Sequence, residues 1–171
     1  VVIAPALYDG KTATTIEEAK LLRGKMKRAQ AQEEILSALT TLRTHPALTS
    51  PALGLVGFSL GAYFALGLAA EHPESIQAVT LFYGTRNADY SASHAAYLGH
   101  YAEHDIFEST SGIRKLEKNL RAAGCPATFF TYPGTGHWFF ERDRADAYAP
   151  ESAELAWERT IEFLHHKLDQ E

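Results

Sequence analysis

The chain has 171 residues, 46% of them apolar and 22% charged, and a formal net charge of −5. That length supports one domain, residues 1–171, with a substantial core, and the balance excludes a disordered chain. Acid in excess, with no long basic run, argues against nucleic acid or an anionic membrane surface as the main partner, because phosphate recognition needs clustered Lys and Arg.

The densest basic patch, Lys25, Lys27 and Arg28, reads as a solvated helix face. The single cysteine, Cys125, excludes an internal disulfide and a cysteine-rich metal site. It follows a predicted helix end and reads as a buried, inert thiol. No apolar stretch is long enough to span a bilayer, and the expected setting is reduced and cytoplasmic. The chain opens Val1-Val2-Ile3, without methionine and already inside an apolar run. An upstream segment, a removed signal peptide included, therefore stays open.

In chain order, residues 1–7 form a short apolar run rich in β-branched side chains, closed by Tyr8-Asp9-Gly10, and predict a buried strand. Residues 15–42 turn helical, with Ile35, Leu36, Leu39 and Leu42 on one face and Gly24 as a candidate break. His45-Pro46 ends this region. Residues 53–58 predict a second strand and 60–70 a buried helix rich in Ala and Leu, stopped at His72-Pro73. Strands follow at 78–82, 94–101 and 127–132. An amphipathic helix at 113–123 ends on Gly124, a tight Pro133-Gly134-Thr135-Gly136 loop follows the last strand, and residues 151–168 form the closing helix. Continuously apolar strands alternating with helices indicate an α/β fold, a mostly parallel sheet with helices on both faces.

Gly57-Phe58-Ser59-Leu60-Gly61 fits G-x-S-x-G and lies between a predicted strand and a predicted helix, the context that motif requires. A nucleophile on so sharp a turn sits in strained backbone, and small flanking residues let its neighbours close in. At a helix N-terminus, unpaired N–H groups and the dipole favour developing negative charge, so the Leu60 N–H is a candidate oxyanion donor. A serine hydroxyl needs a base, and a histidine base needs an acid to fix its tautomer. His137, on a glycine-rich loop after the last strand, is the best-placed base; His94, His100, His165 and His166 fall in or beside a strand or on the closing helix. Asp105, just past a strand end, is the candidate acid, with Glu103, Glu108 and Asp89 as competitors. Tyr83 and Trp138 flank predicted catalytic strand ends and read either as walls of an apolar acyl pocket or as core aromatics. His100, His104 and Asp105 lack the helical spacing of a metal site, and no nucleotide loop is present, so no metal and no cofactor is expected.

Several blocks together resemble the dienelactone hydrolase family of the α/β-hydrolase fold. They are Ala4-Pro5-Ala6-Leu7-Tyr8-Asp9-Gly10, Gly54-Leu55-Val56-Gly57-Phe58-Ser59-Leu60-Gly61, Leu81-Phe82-Tyr83-Gly84, Gly99-His100-Tyr101-Ala102-Glu103-His104-Asp105, Tyr132-Pro133-Gly134-Thr135-Gly136-His137-Trp138-Phe139-Phe140 and Ala156-Trp157-Glu158-Arg159-Thr160. The resemblance implies a triad of Ser59, Asp105 and His137, in the order of that fold, and hydrolysis of a small-molecule ester or lactone through an acyl-enzyme. Many members carry cysteine where this chain has Ser59, which shifts the expectation toward an ordinary carboxylesterase. Ala6 stands where the family often has Asp, and Glu141 replaces the prototype's basic residue one turn past the histidine, which implies a lost anchoring charge for an anionic lactone. The resemblance also implies a strand and loop before Val1, the loop carrying a second oxyanion N–H, with that strand between residues 1–7 and the elbow strand. A gap there leaves backbone groups unpaired, so either the chain lacks its first strand or another segment fills the slot. The competing functional readings are a hydrolase-fold protein that binds or regulates without catalysing, and an amide or peptide hydrolase.

Overall fold

A computed structural model describes residues 1–169. The chain divides into two compact units, Val1–Pro51 and Ala52–Glu171.

The first unit holds two helices, α1 (Ile16–Lys25) and α2 (Arg28–Arg43). Thr15 caps α1 by accepting from the Glu18 N–H at 3.2 Å, while the Glu18 carboxylate accepts from the N–H and hydroxyl of Thr14 at 2.9 and 3.0 Å. The helical region breaks at Met26-Lys27, both in extended backbone, rather than at Gly24. One helical glycine costs only about 1 kcal/mol, too little to force a stop. The strand predicted at 1–7 is not formed: those residues join no ladder, and Val1 and Val2 are exposed. β-Branched composition favours a pleated surface but does not supply a paired neighbour. The turn that follows is real. Asp9 and Gly10 take φ of 53° and 72°, and the Lys11 N–H donates to the Tyr8 carbonyl at 2.9 Å.

The second unit is an α/β sandwich. Its strands, β1 (Leu53–Phe58), β2 (Ile76–Phe82), β3 (Ala96–His104) and β4 (Ala127–Gly136), form one parallel sheet in the order β1-β2-β3-β4. Four strands are present among the described residues, not five; β1 pairs with β2 alone, so no described segment fills the slot on its other side. Three helices connect and cover the strands: α3 (Leu60–Glu71), α4 (Thr110–Ala122) and α5 (Pro150–Leu168). Two glycines of β1 show that helices lie on both faces. A side chain at Gly54 would strike Leu164 and Leu168 of α5, whereas one at Gly57 would strike the backbone of Gly61 and Ala62 in α3. Positions 54 and 57 point to opposite faces of a strand.

Register aligns one row of rings across the sheet. Phe58 pairs with Phe82, Phe82 with His100 and His100 with Phe130. Their centroids lie 4.5, 4.7 and 6.2 Å apart, and the Arg159 guanidinium closes the row 3.8 Å above Phe130. The residues following that row carry the candidate site.

His100 is completely buried within a directional hydrogen-bond chain. Arg159 donates to the Tyr132 hydroxyl (3.2 Å) and Tyr132 to His100 Nδ1 (2.8 Å). His100 Nε2–H then donates to Thr160 Oγ1 (3.1 Å), whose own proton goes to the Ala156 carbonyl (2.8 Å). Each group has one role, so the Nε2–H tautomer follows. Burial, and secondarily Arg159, lowers the His100 pKa to about 3. The unfolded chain, with an ordinary value of about 6.5, therefore takes up the proton first. Stability is expected to fall as pH drops below about 6.5, by about 1.4 kcal/mol per unit, until His100 itself titrates. Urea midpoints from pH 7 to pH 4 check this. His100→Gln can accept from Tyr132 and donate to Thr160 without titrating, and should flatten the slope.

Candidate active site

Ser59 follows the last residue of β1 and precedes α3. Its backbone stands at φ 49°, ψ −110°, a left-handed conformation that costs a non-glycine residue about 1–3 kcal/mol. Two contacts hold it there. Its N–H donates to the Phe82 carbonyl at the end of β2 (2.9 Å), and Gly84 lies directly against it. A Cβ at Gly84 would come within 2.5 Å of the Ser59 carbonyl oxygen, and one at Gly57 within 2.6 Å of the Gly61 and Ala62 backbone. A side chain at Gly61, by contrast, would meet open space. Leu60 opens α3, where a helix N–H has no intrahelical acceptor.

Asp105 immediately follows β3. Its Oδ1 accepts from the N–H groups of Phe107 (2.8 Å) and Glu108 (3.0 Å), which leaves Oδ2 to face His137. His137 immediately follows β4. The Pro133-Gly134-Thr135-Gly136 segment, expected as a loop, continues that strand with a register irregularity, and Gly136 pairs with His104. A left-handed Gly134 (φ 69°) gives its N–H to Glu103 at 2.8 Å, which lets the strand run on past Pro133. The structure brings together the residues singled out from sequence: His137 Nδ1 is 2.7 Å from Asp105 Oδ2, and His137 Nε2 is 3.0 Å from Ser59 Oγ. The side chains of His137 and Asp105 are only 3% and 1% exposed. Burial works to raise the Asp105 pKa, but hydrogen bonds from His137, Glu108 and Phe107 outweigh it and hold the carboxyl below its ordinary value. With Asp105 ionised, the shared proton sits on His137 Nδ1, and the Nε2 lone pair faces the Ser59 hydroxyl.

Aromatic rings fix the imidazole from several sides. Tyr83 lies 4.7 Å from it, Phe107 4.8 Å and Trp138 4.9 Å. Tyr83, at φ 38°, is fully buried in the core cluster with Phe82, Tyr132 and Phe139. Its hydroxyl donates to Glu141 Oε1 at 3.0 Å. Burial first, then the Glu141 charge, pushes its phenol far above the ordinary range. Burial likewise raises the Glu141 carboxyl. Trp138, at φ 69°, is half-buried beneath the Arg144 guanidinium (4.2 Å) and beside Phe107, which is half-exposed.

The competing candidates are engaged elsewhere. Glu103 holds Gly134, Glu108 holds Thr85, Asp89 accepts from the Ser91 N–H, and His100 sits in the buried chain. Cys125 is buried, with its thiol toward the Ser93 carbonyl (3.3 Å) and its pKa raised by burial. Among the described residues no group of His, Cys, Asp and Glu forms a metal-holding cluster, and no helix is long and apolar enough to cross a membrane. Sequence reading missed Gly84, Phe107 and the partner of Tyr83. Their common signal is position, since each lies in a loop at the C-terminal end of a parallel strand or in contact with one.

Comparison with known proteins gives a consistent result. The model of the Dienelactone hydrolase family matches residues 1–168. A protein of Aquifex aeolicus, provisionally named a carboxymethylenebutenolidase, is 28% identical over 172 residues, covering 96% of this chain and 74% of its own length. Protein usf of Aquifex pyrophilus is 28% identical over 174 residues, covering 98% and 75%. Among solved structures, a protein of Klebsiella pneumoniae, provisionally named a dienelactone hydrolase, superposes with a TM-score of 0.76. The two are 24% identical, and the match covers 92% of this chain and 71% of that one.

Proposed function

The chain belongs to the dienelactone hydrolase family and is a hydrolase; on that premise we propose that it is a serine hydrolase cleaving small carboxylic esters or lactones through an acyl-enzyme. The observation that carries this reading is the continuous path from Asp105 Oδ2 to His137 to Ser59 Oγ, at 2.7 and 3.0 Å. Ser59 Oγ attacks the carbonyl carbon while His137 Nε2 takes its proton. Asp105 holds the ring and stabilises the imidazolium that forms. The Leu60 N–H, at the start of α3, donates to the oxyanion. As the tetrahedral intermediate collapses, His137 returns the proton to the departing alcohol oxygen, leaving an acyl group on Ser59. Water, deprotonated by the same nitrogen, then releases the acid. In a lactone the leaving oxygen stays tethered to the acyl chain and is freed with it.

Trp138, with Phe107 beside it, gives the reactive atoms an apolar flank suited to an uncharged acyl or alcohol group. Tyr83 serves from beneath, through the imidazole ring. A single family match across residues 1–168 supports reading the two units as parts of one domain.

Turnover of p-nitrophenyl acetate, together with stoichiometric labelling of Ser59 by a fluorophosphonate, is the expected result. A folded protein that is neither labelled nor active on esters would favour the non-catalytic binding reading. Comparable rates on a p-nitroanilide would move the proposal to amide bonds.

A further inference from the structure

The three residues after β2 touch each arm of the site. The Tyr83 ring lies on His137, Gly84 backs Ser59, and Thr85 reaches the turn that carries Asp105. The segment is fixed from below, because the Tyr83 N–H donates to the His100 carbonyl (2.8 Å) and the Tyr101 hydroxyl to the Gly84 carbonyl (3.2 Å). Its link to the acid turn is a paired one. Thr85 donates its N–H to Glu108 Oε1 (3.2 Å) and its hydroxyl to Glu108 Oε2 (2.7 Å). The N–H of Glu108 donates in turn to Asp105 Oδ1. Glu108 precedes Ser109, which caps α4 by accepting from the Gly112 N–H at 3.1 Å. The start of that helix favours a carboxylate there.

We infer that Glu108, gripped by Thr85, is a positioning residue that sets which oxygen of Asp105 faces His137. Resting on the triad proposed above, this assigns to Glu108 a part in the reaction that involves no contact with substrate. The reason is geometric. Asp105 accepts two backbone N–H groups on Oδ1, and those donors belong to the turn that Glu108 anchors. If the anchor is released, the turn shifts, the Oδ2–Nδ1 distance lengthens, and the imidazole loses its fixed tautomer and direction. A misplacement of about 1 Å at a reacting group costs on the order of a hundredfold in rate.

Three variants of the full chain test this by two readouts: the rate of fluorophosphonate labelling at Ser59, and the far-downfield proton resonance of His137 Nδ1–H. Glu108→Ala is expected to slow labelling by about tenfold to a hundredfold and to broaden or move the resonance. Glu108→Gln should restore both, because its amide oxygen can accept the Thr85 N–H while its NH₂ donates to the Thr85 hydroxyl. Thr85→Val, which removes only the hydroxyl bond, should fall between them, and it decides the matter should Glu108→Ala not fold. Wild-type labelling and an unmoved resonance in Glu108→Ala overturn the inference, as does a Glu108→Gln that behaves like alanine, since charge rather than bonding would then be responsible. Failure of the wild-type protein to label overturns the enzymatic reading instead. The resonance, measured on the same variants, then still decides whether Glu108 governs the Asp105–His137 bond.

Discussion

Ser59→Ala is expected to lower kcat on p-nitrophenyl acetate by about 10⁴-fold or more while the protein stays folded. The hydroxyl is the only atom of this group positioned both to bond a carbonyl carbon and to pass a proton to His137 Nε2, 3.0 Å away. Folding is spared because the contacts that shape the turn are backbone ones: the Ser59 N–H to the Phe82 carbonyl, and Gly84 against the Ser59 carbonyl. Alanine carries the same left-handed strain as serine, so the elbow itself gains or loses little. Initial rates read beside a thermal melt check both halves. A variant that keeps its rate would show that the bond is broken by some other group, and one that loses its melting transition would show that the hydroxyl is structural.

Asp105→Asn should cost about the same, about 10⁴-fold in kcat, for a different reason. The amide oxygen is held in place of Oδ1 by the N–H groups of Phe107 and Glu108, so the NH₂ must occupy the position of Oδ2. It then donates to His137 Nδ1, the ring proton moves to Nε2, and a donor confronts the Ser59 hydroxyl where an acceptor is required. The ring remains in place and the chemistry stops. Nitrogen-15 chemical shifts of the imidazole report the exchanged tautomer directly. A variant with the native tautomer and native rate would remove Asp105 from the mechanism.

How much of this was legible beforehand depends on how far apart the determining residues lie in the chain. The elbow was readable because Gly57, Ser59 and the start of α3 are local, although only Gly57 is sterically required; Gly61 faces open space. Gly84 is required just as strictly, yet the atom that demands it belongs to Ser59 on another strand, and nothing near position 84 announces it. Asp105 and His137 are legible as polar residues at strand ends. The length of the strands beneath them is not, because β3 and β4 extend past Tyr101 and Tyr132 only by pairing with each other. Residues 1–7 err in the opposite direction, with strand composition and no ladder. From sequence Tyr83 reads as either pocket wall or core, and burial places it in the core; that its hydroxyl engages Glu141 depends on the fold around His137.

Ser59, Tyr83 and Trp138 all hold left-handed backbone, and all three border the imidazole. Selecting this protein for heat tolerance alone will therefore reward the wrong changes. Glycine at 138, where the ring is half-buried, relaxes the chain but deletes a ring that braces the histidine, so a gain in melting temperature there is drawn from turnover; glycine at 83 also empties the core, a loss of about 3–5 kcal/mol that exceeds the strain relieved. A laboratory evolving sturdier versions should hold these positions constant and look for improvements elsewhere in the molecule.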